Sequence, residues 1–106
     1  MAKDLTVSLL LDCYGELLTE RQRALSELYY NDDLSLMEIA ELQGITRQGA
    51  LDGISRARQQ LYEFEKALGL LDLRRRVEKA ARLADALSAH VPEAAQIREL
   101  LERKEA

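Results

Sequence analysis

SLMEIAELQGITRQGALDGISRARQQL, residues 35–61, decides the fold. Ser35 and Glu38 have the spacing of a capping box: the hydroxyl accepts from the third helical amide and the carboxylate reaches back to the cap. Ile39 and Ala40 then face inward. Gly44 stands where a helix must stop in a left-handed conformation, which a residue without Cβ adopts freely. Ile45 plugs the angle between the helices, and Thr46 caps the next one. Two helices joined by a few residues containing glycine make a helix-turn-helix.

Outward from this stretch the chain reads as helix throughout. Leu, Ala, Glu and Arg dominate, Pro92 is the single proline, and no run alternates with the period of a strand. At 106 residues the length suits one all-α domain with a modest core. Its helix-turn-helix core spans 19–68 and a helical C-terminal extension spans 72–106. Residues 4–18 are expected to form a first helix with Leu5, Leu9, Leu10, Cys13, Tyr14 and Leu17 on its buried face. Gly15 weakens that helix by about 1 kcal/mol relative to alanine. Thr19 and Gln22 form a second capping box, leading a helix through Tyr30 with Ala24, Leu25, Leu28 and Tyr29 inward. Asn31-Asp32-Asp33 is a polar turn.

The helix after Thr46 carries Ile54, Ala57, Leu61, Phe64, Leu68 and Leu71 at alternating spacings of three and four, a two-in-seven seam. Either the chain covers this seam itself as core or two copies pack along it as a homodimer; both remain open. Gly69 and Asp72 mark a break, with Asp72 as the expected next cap. Val77, Ala80, Ala84 and Leu87 repeat the spacing in the following helix. Pro92 fits the first turn of a last helix containing Ile97, Leu100 and Leu101.

The net charge of −4 argues against indiscriminate nucleic-acid binding, yet it is unevenly spread. Residues 1–46 carry three basic and nine acidic side chains; residues 47–106 carry twelve basic and ten acidic. A polyanion should meet the second half first. The single cysteine, Cys13, excludes an internal disulfide and reads as a buried thiol in a reducing cytoplasm. The longest apolar run, Val7 to Leu11, is interrupted by Ser8 and far too short to insert in a membrane.

The run LLTERQRALSELYYNDDLSLMEIAELQGITRQGALDGISRARQQL, residues 17–61, resembles the region-four helix-turn-helix of bacterial sigma factors. LTERQR at 18–23, SLMEIAE at 35–41, GITR at 44–47 and SRARQQL at 55–61 carry the likeness. LYYNDDLS at 28–35, Arg47-Gln48, Asp52 before Ile54, and YEFEKALGL at 62–70 make it more similar still to the small YlxM family. The resemblance implies a stand-alone sigma region-four-like protein that assists or regulates co-translational targeting, bound to RNA or protein components of the signal recognition particle. Many relatives have a small non-glycine residue at position 49 and Asn at 53. Here both positions are glycine, together costing the helix about 2 kcal/mol against alanine.

A second helix that reads DNA places its first residues in the major groove. Arg47 and Gln48 suit guanine and adenine respectively, while Leu51 and Asp52, also expected outward, do not suit a phosphate-lined groove. Ser55 and Arg58 complete that candidate face. Glu63 and Glu65 follow, so the helix lacks the basic footprint of a DNA reader. Arg75, Lys79 and Arg82 share one face of the next helix at spacings of four and three, a candidate ridge for RNA phosphate or an acidic partner. No aromatic stacking platform accompanies it. His90 is the single histidine, near a helix end. Metal-ligand clusters, Gly-rich phosphate loops and nucleophile–base pairs are absent from the sequence, so neither an enzyme nor a bound cofactor is expected. The competing reading is a sequence-specific DNA-binding transcription regulator.

Overall fold

Asp4 opens the first helix, its carboxylate accepting from the Thr6 amide at 3.0 Å, and α1 runs Leu5–Tyr14. The computed structural model describes residues 3–102, which hold six α-helices and no strand. At Gly15 the α-helix tightens into a short 3₁₀ turn, Gly15–Leu17, earlier than the expected end at residue 18. The buried face of α1 is Val7, Leu10, Leu11 and Tyr14, whereas Leu5, Leu9 and Leu17 are exposed and Cys13 is half-buried. Leu10 and Tyr14 of the expected face are buried, and Val7 and Leu11 complete the face in place of Leu5, Leu9 and Leu17. A helix so rich in leucine satisfies the three-four spacing on more than one stripe, and periodicity alone does not choose between them.

Thr19 caps α2, Glu20–Ser26, through the reciprocal capping box with Gln22. The helix then widens into a π-helical turn, Glu27–Asn31, closed by the Asp32 amide donating to the Glu27 carbonyl at 3.0 Å. Asp33 makes the exit with φ 57°, a left-handed position that a short polar side chain tolerates. The Ser35–Glu38 box opens α3, Leu36–Gln43, and Gly44 ends it at φ 66°. Thr46 accepts from the Gly49 amide at 2.9 Å and starts α4, Arg47–Leu68. Each punctuation residue of the helix-turn-helix therefore does locally what its chemistry dictates.

The chain divides into two compact units, residues 1–69 and 70–106. In the first, α4 packs against α1, α2 and α3. Leu25, Ile39, Ala50 and Ile54 form a buried cluster, with Leu28, Tyr29, Leu34 and Ile45 closing around it. Ala57 and Leu61 are also buried, and the Phe64 ring lies 5.8 Å from that of Tyr14. The seam from Ile54 to Phe64 is thus filled by the chain's own core. It does not continue as one helix to Leu71: Gly69 stops α4 at φ 64°, leaving Leu68 exposed at its end.

The second unit is a helical hairpin. α5, Leu70–Leu87, begins directly after Gly69, two residues before the expected start at Asp72, which lies in its first turn. Leu71 and Ala84 are buried and Val77 is half-buried, while Ala80 and Leu87 of the expected face are exposed. α6, Ala94–Leu101, starts two residues after Pro92, whose carbonyl accepts from the Ala95 amide at 3.1 Å in the entering turn. Arg98 joins the two helices through Asp85 at 3.1 Å.

Candidate nucleic-acid interface

The turn Gly44–Thr46 aims the start of α4 outward, because Ile45 is anchored in the core while Thr46 and Arg47 are exposed. At 100° per residue, burial of Ala50, Ile54, Ala57 and Leu61 puts Gln48, Asp52, Ser55 and Gln59 on the opposite face. All four are exposed. Leu51, expected outward, is half-buried toward the flank. Gln48 donates to Asp52 at 2.9 Å, so that carboxylate is occupied from its own helix. Arg47 is exposed at the first position of the helix and makes no ion pair among the described residues.

Arg58 is placed differently from Arg47. Its guanidinium lies 3.4 Å from the Asp4 carboxylate and 5.1 Å from the centre of the Tyr62 ring. Tyr62 in turn donates to the same carboxylate at 2.6 Å. That hydrogen bond is the main reason the Asp4 carboxyl titrates below its ordinary range, and the same bond raises the Tyr62 phenol. Arg58 therefore serves first as a clasp between the N-terminus and α4. Ser55, Arg58, Gln59, Tyr62, Glu63 and Lys66 line a shallow depression of about 590 Å³ along this face.

Lys3 makes the companion clasp. Its ammonium donates to the carbonyls of Tyr29 and Leu34 at 2.7 and 2.8 Å, pairs with Asp33 at 3.2 Å, and sits 4.0 Å over the Tyr29 ring. Lys3 and Asp4 thus fix both the turn that enters the helix-turn-helix and the flank of its second helix. Sequence reasoning missed this pair. The i,i+4 spacing of Arg58 and Tyr62 is readable, but their partner lies more than fifty residues away.

On α3 the burial of Ile39 and Ala40 leaves Met37, Glu38, Glu41 and Leu42 outward. With Asp32 and Asp33 this gives an acidic surface on the helix that, in a DNA-reading motif, crosses the phosphate backbone. Arg75, Lys79 and Arg82 are all exposed on one side of α5, in the second unit. The candidate residues thus fall into two groups: the tip of α4 with Arg47, Gln48 and Ser55, and the α5 ridge. No helix among the described residues is long and apolar enough to cross a membrane.

A family model for YlxM/p13-like helix-turn-helix proteins, UPF0122, matches residues 1–104. A UPF0122 protein of Clostridium kluyveri is 46% identical over 79 residues, covering 74% of this chain and 71% of the relative. One from Clostridium botulinum is 51% identical over 73 residues, covering 69% and 67%. One from Desulforamulus reducens is 54% identical over 65 residues, covering 61% and 56%. The capped turn, the long second helix and these matches agree, and the chain belongs to the UPF0122 family of YlxM/p13-like helix-turn-helix proteins.

Proposed function

We propose that this protein is a non-enzymatic, cytoplasmic regulator that binds nucleic acid through the exposed start of α4. The observation that carries this reading is the tip itself: Arg47 and Gln48 are exposed at a helix end set by the Gly44 turn, the Thr46 cap and the Ile54 core. The helix-turn-helix family assignment supports it. We further propose that it works in the signal recognition particle pathway as a homodimer.

The ligand reading divides. A helix fits the major groove of B-form DNA and is excluded from the deep, narrow groove of an RNA duplex, so the α4 tip favours DNA. The acidic outer face of α3 opposes phosphate there, and the exposed Arg75–Lys79–Arg82 ridge favours particle RNA or an acidic protein component instead.

Fluorescence anisotropy with labelled particle RNA and with specific and scrambled DNA duplexes at physiological salt separates these. Arg47→Ala and Gln48→Ala should abolish preference for one duplex if α4 reads DNA. Replacing Arg75, Lys79 and Arg82 with Glu should abolish RNA binding if the ridge holds it. No binding of either nucleic acid at micromolar protein would overturn the reading.

A further inference from the structure

The two carboxylate oxygens of Asp4 have separate roles. Oδ1 accepts from the Thr6 amide at 3.0 Å and caps α1. Oδ2 reaches α4, where it accepts from the Tyr62 hydroxyl at 2.6 Å and from the Arg58 guanidinium at 3.4 Å. This second contact lies at the surface, with the side chains of Arg58 and Asp4 50% and 35% exposed. It also leaves Arg58 underused: a guanidinium carries five donors in a fork, and among the described residues a single nitrogen meets a single oxygen. Arg58 and Tyr62 line the shallow depression of α4 together with Gln59 and Lys66. The carboxylate in that lining, Glu63, accepts from Gln59 at 3.4 Å.

We infer that Arg58 and Tyr62 form a site for a backbone phosphate of duplex DNA, and that the Asp4 carboxylate is an internal anion occupying this site until the duplex arrives. Arg58 follows Arg47 by eleven residues, which returns it to within about 20° of the same side of α4, about 16 Å further along. The major groove is about 12 Å wide, so a helix entering it by its first turn meets a phosphate wall within the next few turns. A phosphodiester offers two unesterified oxygens, which match the fork of a guanidinium and also reach a phenol, where Asp4 gives one oxygen to both donors. Asp4 is free to leave α4 without uncapping α1, since the Thr6 amide is held by the other oxygen. Its depressed titration keeps this competitor charged at neutral pH.

This inference rests on the reading that the start of α4 binds nucleic acid. Asp4→Asn in the full chain tests it, because asparagine caps a helix as well as aspartate and still accepts from Tyr62, while the charge is gone. In fluorescence anisotropy with a mixed-sequence DNA duplex, Asp4→Asn should bind about two- to fivefold more tightly than the unaltered protein, the range that a half-exposed ion pair is worth. The slope of log affinity on log salt should steepen by about 0.9, the contribution of one further phosphate contact. In an Arg58→Gln background the gain should vanish. Asp12→Asn removes the same charge from an exposed position of the same helix and should gain less than about twofold in either background, as screened charges do. An Asp4→Asn gain no larger than that of Asp12→Asn, or one that persists without Arg58, overturns the masked site and leaves DNA binding by α4 standing. A gain confined to particle RNA, titrated in parallel, overturns the duplex as the source of the phosphate. No binding of either nucleic acid by any variant overturns both readings.

Discussion

Replacing Gly53 with alanine sets two effects of opposite sign against each other. Gly53 lies in the interior of α4, where alanine is favoured over glycine by about 1 kcal/mol through backbone entropy alone. A Cβ built there, however, falls 2.6 Å from Cδ1 of Leu25, well inside any ordinary carbon–carbon contact. Leu25 is 1% exposed and packed among Ile39, Ala50 and Ile54, so its methyl has nowhere to retreat. Overfilling a close-packed site costs about 1–3 kcal/mol. The steric effect wins by about 1 kcal/mol, which lowers the melting temperature by about 4–8 °C in a chain of this size. Gly49 provides the contrast. Its nearest neighbour is the Thr46 hydroxyl at 3.1 Å, on an exposed residue that can give by a few tenths of an ångström. Gly49→Ala should therefore stabilise, by somewhat under about 1 kcal/mol. Urea unfolding of the two variants compares like with like, since both change glycine to alanine in one helix. In a Leu25→Ala background the clash is gone, and Gly53→Ala should become stabilising, a reversal that a double-mutant cycle measures. If Gly53→Ala matches or exceeds Gly49→Ala in stability, the close approach of α2 to α4 is not what holds a glycine there.

Ser26 is fully buried and its hydroxyl has no hydrogen-bond partner among the described residues, so Ser26→Ala should raise stability by about 1 kcal/mol in chemical denaturation. The depressed Asp4 carboxyl contributes stability that is present at neutral pH and lost as pH falls through the acid range. Tyr62→Phe removes its largest cause, so thermal melts from pH 7 to pH 3 should show a shallower loss than in the unaltered protein, and an identical slope would refute the clasp. Leu61 is 0% exposed within the first unit, so Leu61→Ala should destabilise by about 2–5 kcal/mol in urea without a specific change in association.

The helix-turn-helix was legible because its signals are local. A hydroxyl three residues before a Glu or Gln, a glycine at a left-handed exit and a threonine before the next helix act over one turn each. Ser35, Gly44 and Thr46 occupy the positions that their chemistry requires. The family likeness, resting on the same stretch, was legible for the same reason. The face of α1 was not, because its leucines satisfy two phases and the packing against α4 chooses between them. Nor was the division of the three-four seam. Ile54 to Phe64 and Val77 to Leu87 share one spacing, yet the first is consumed inside its unit and the second leaves Leu87 open.

At the candidate site, exposure of Arg47 and Gln48 followed from helical phase, which residues 50, 54, 57 and 61 set by themselves. The engagement of Arg58 did not, since Asp4 reaches it only when α1 folds across α4. The pairing of Gln48 with Asp52 lies between these cases: the i,i+4 spacing permits it and the rotamers complete it. From sequence alone come the six-helix grammar, the capped turn and the family. Tertiary structure decided which apolar stripe is core, which arginine is held by Asp4, and which hairpin face stays open. Caps and turns act between neighbours in the chain, whereas burial and ion pairing depend on distances that exist only once the helices have packed.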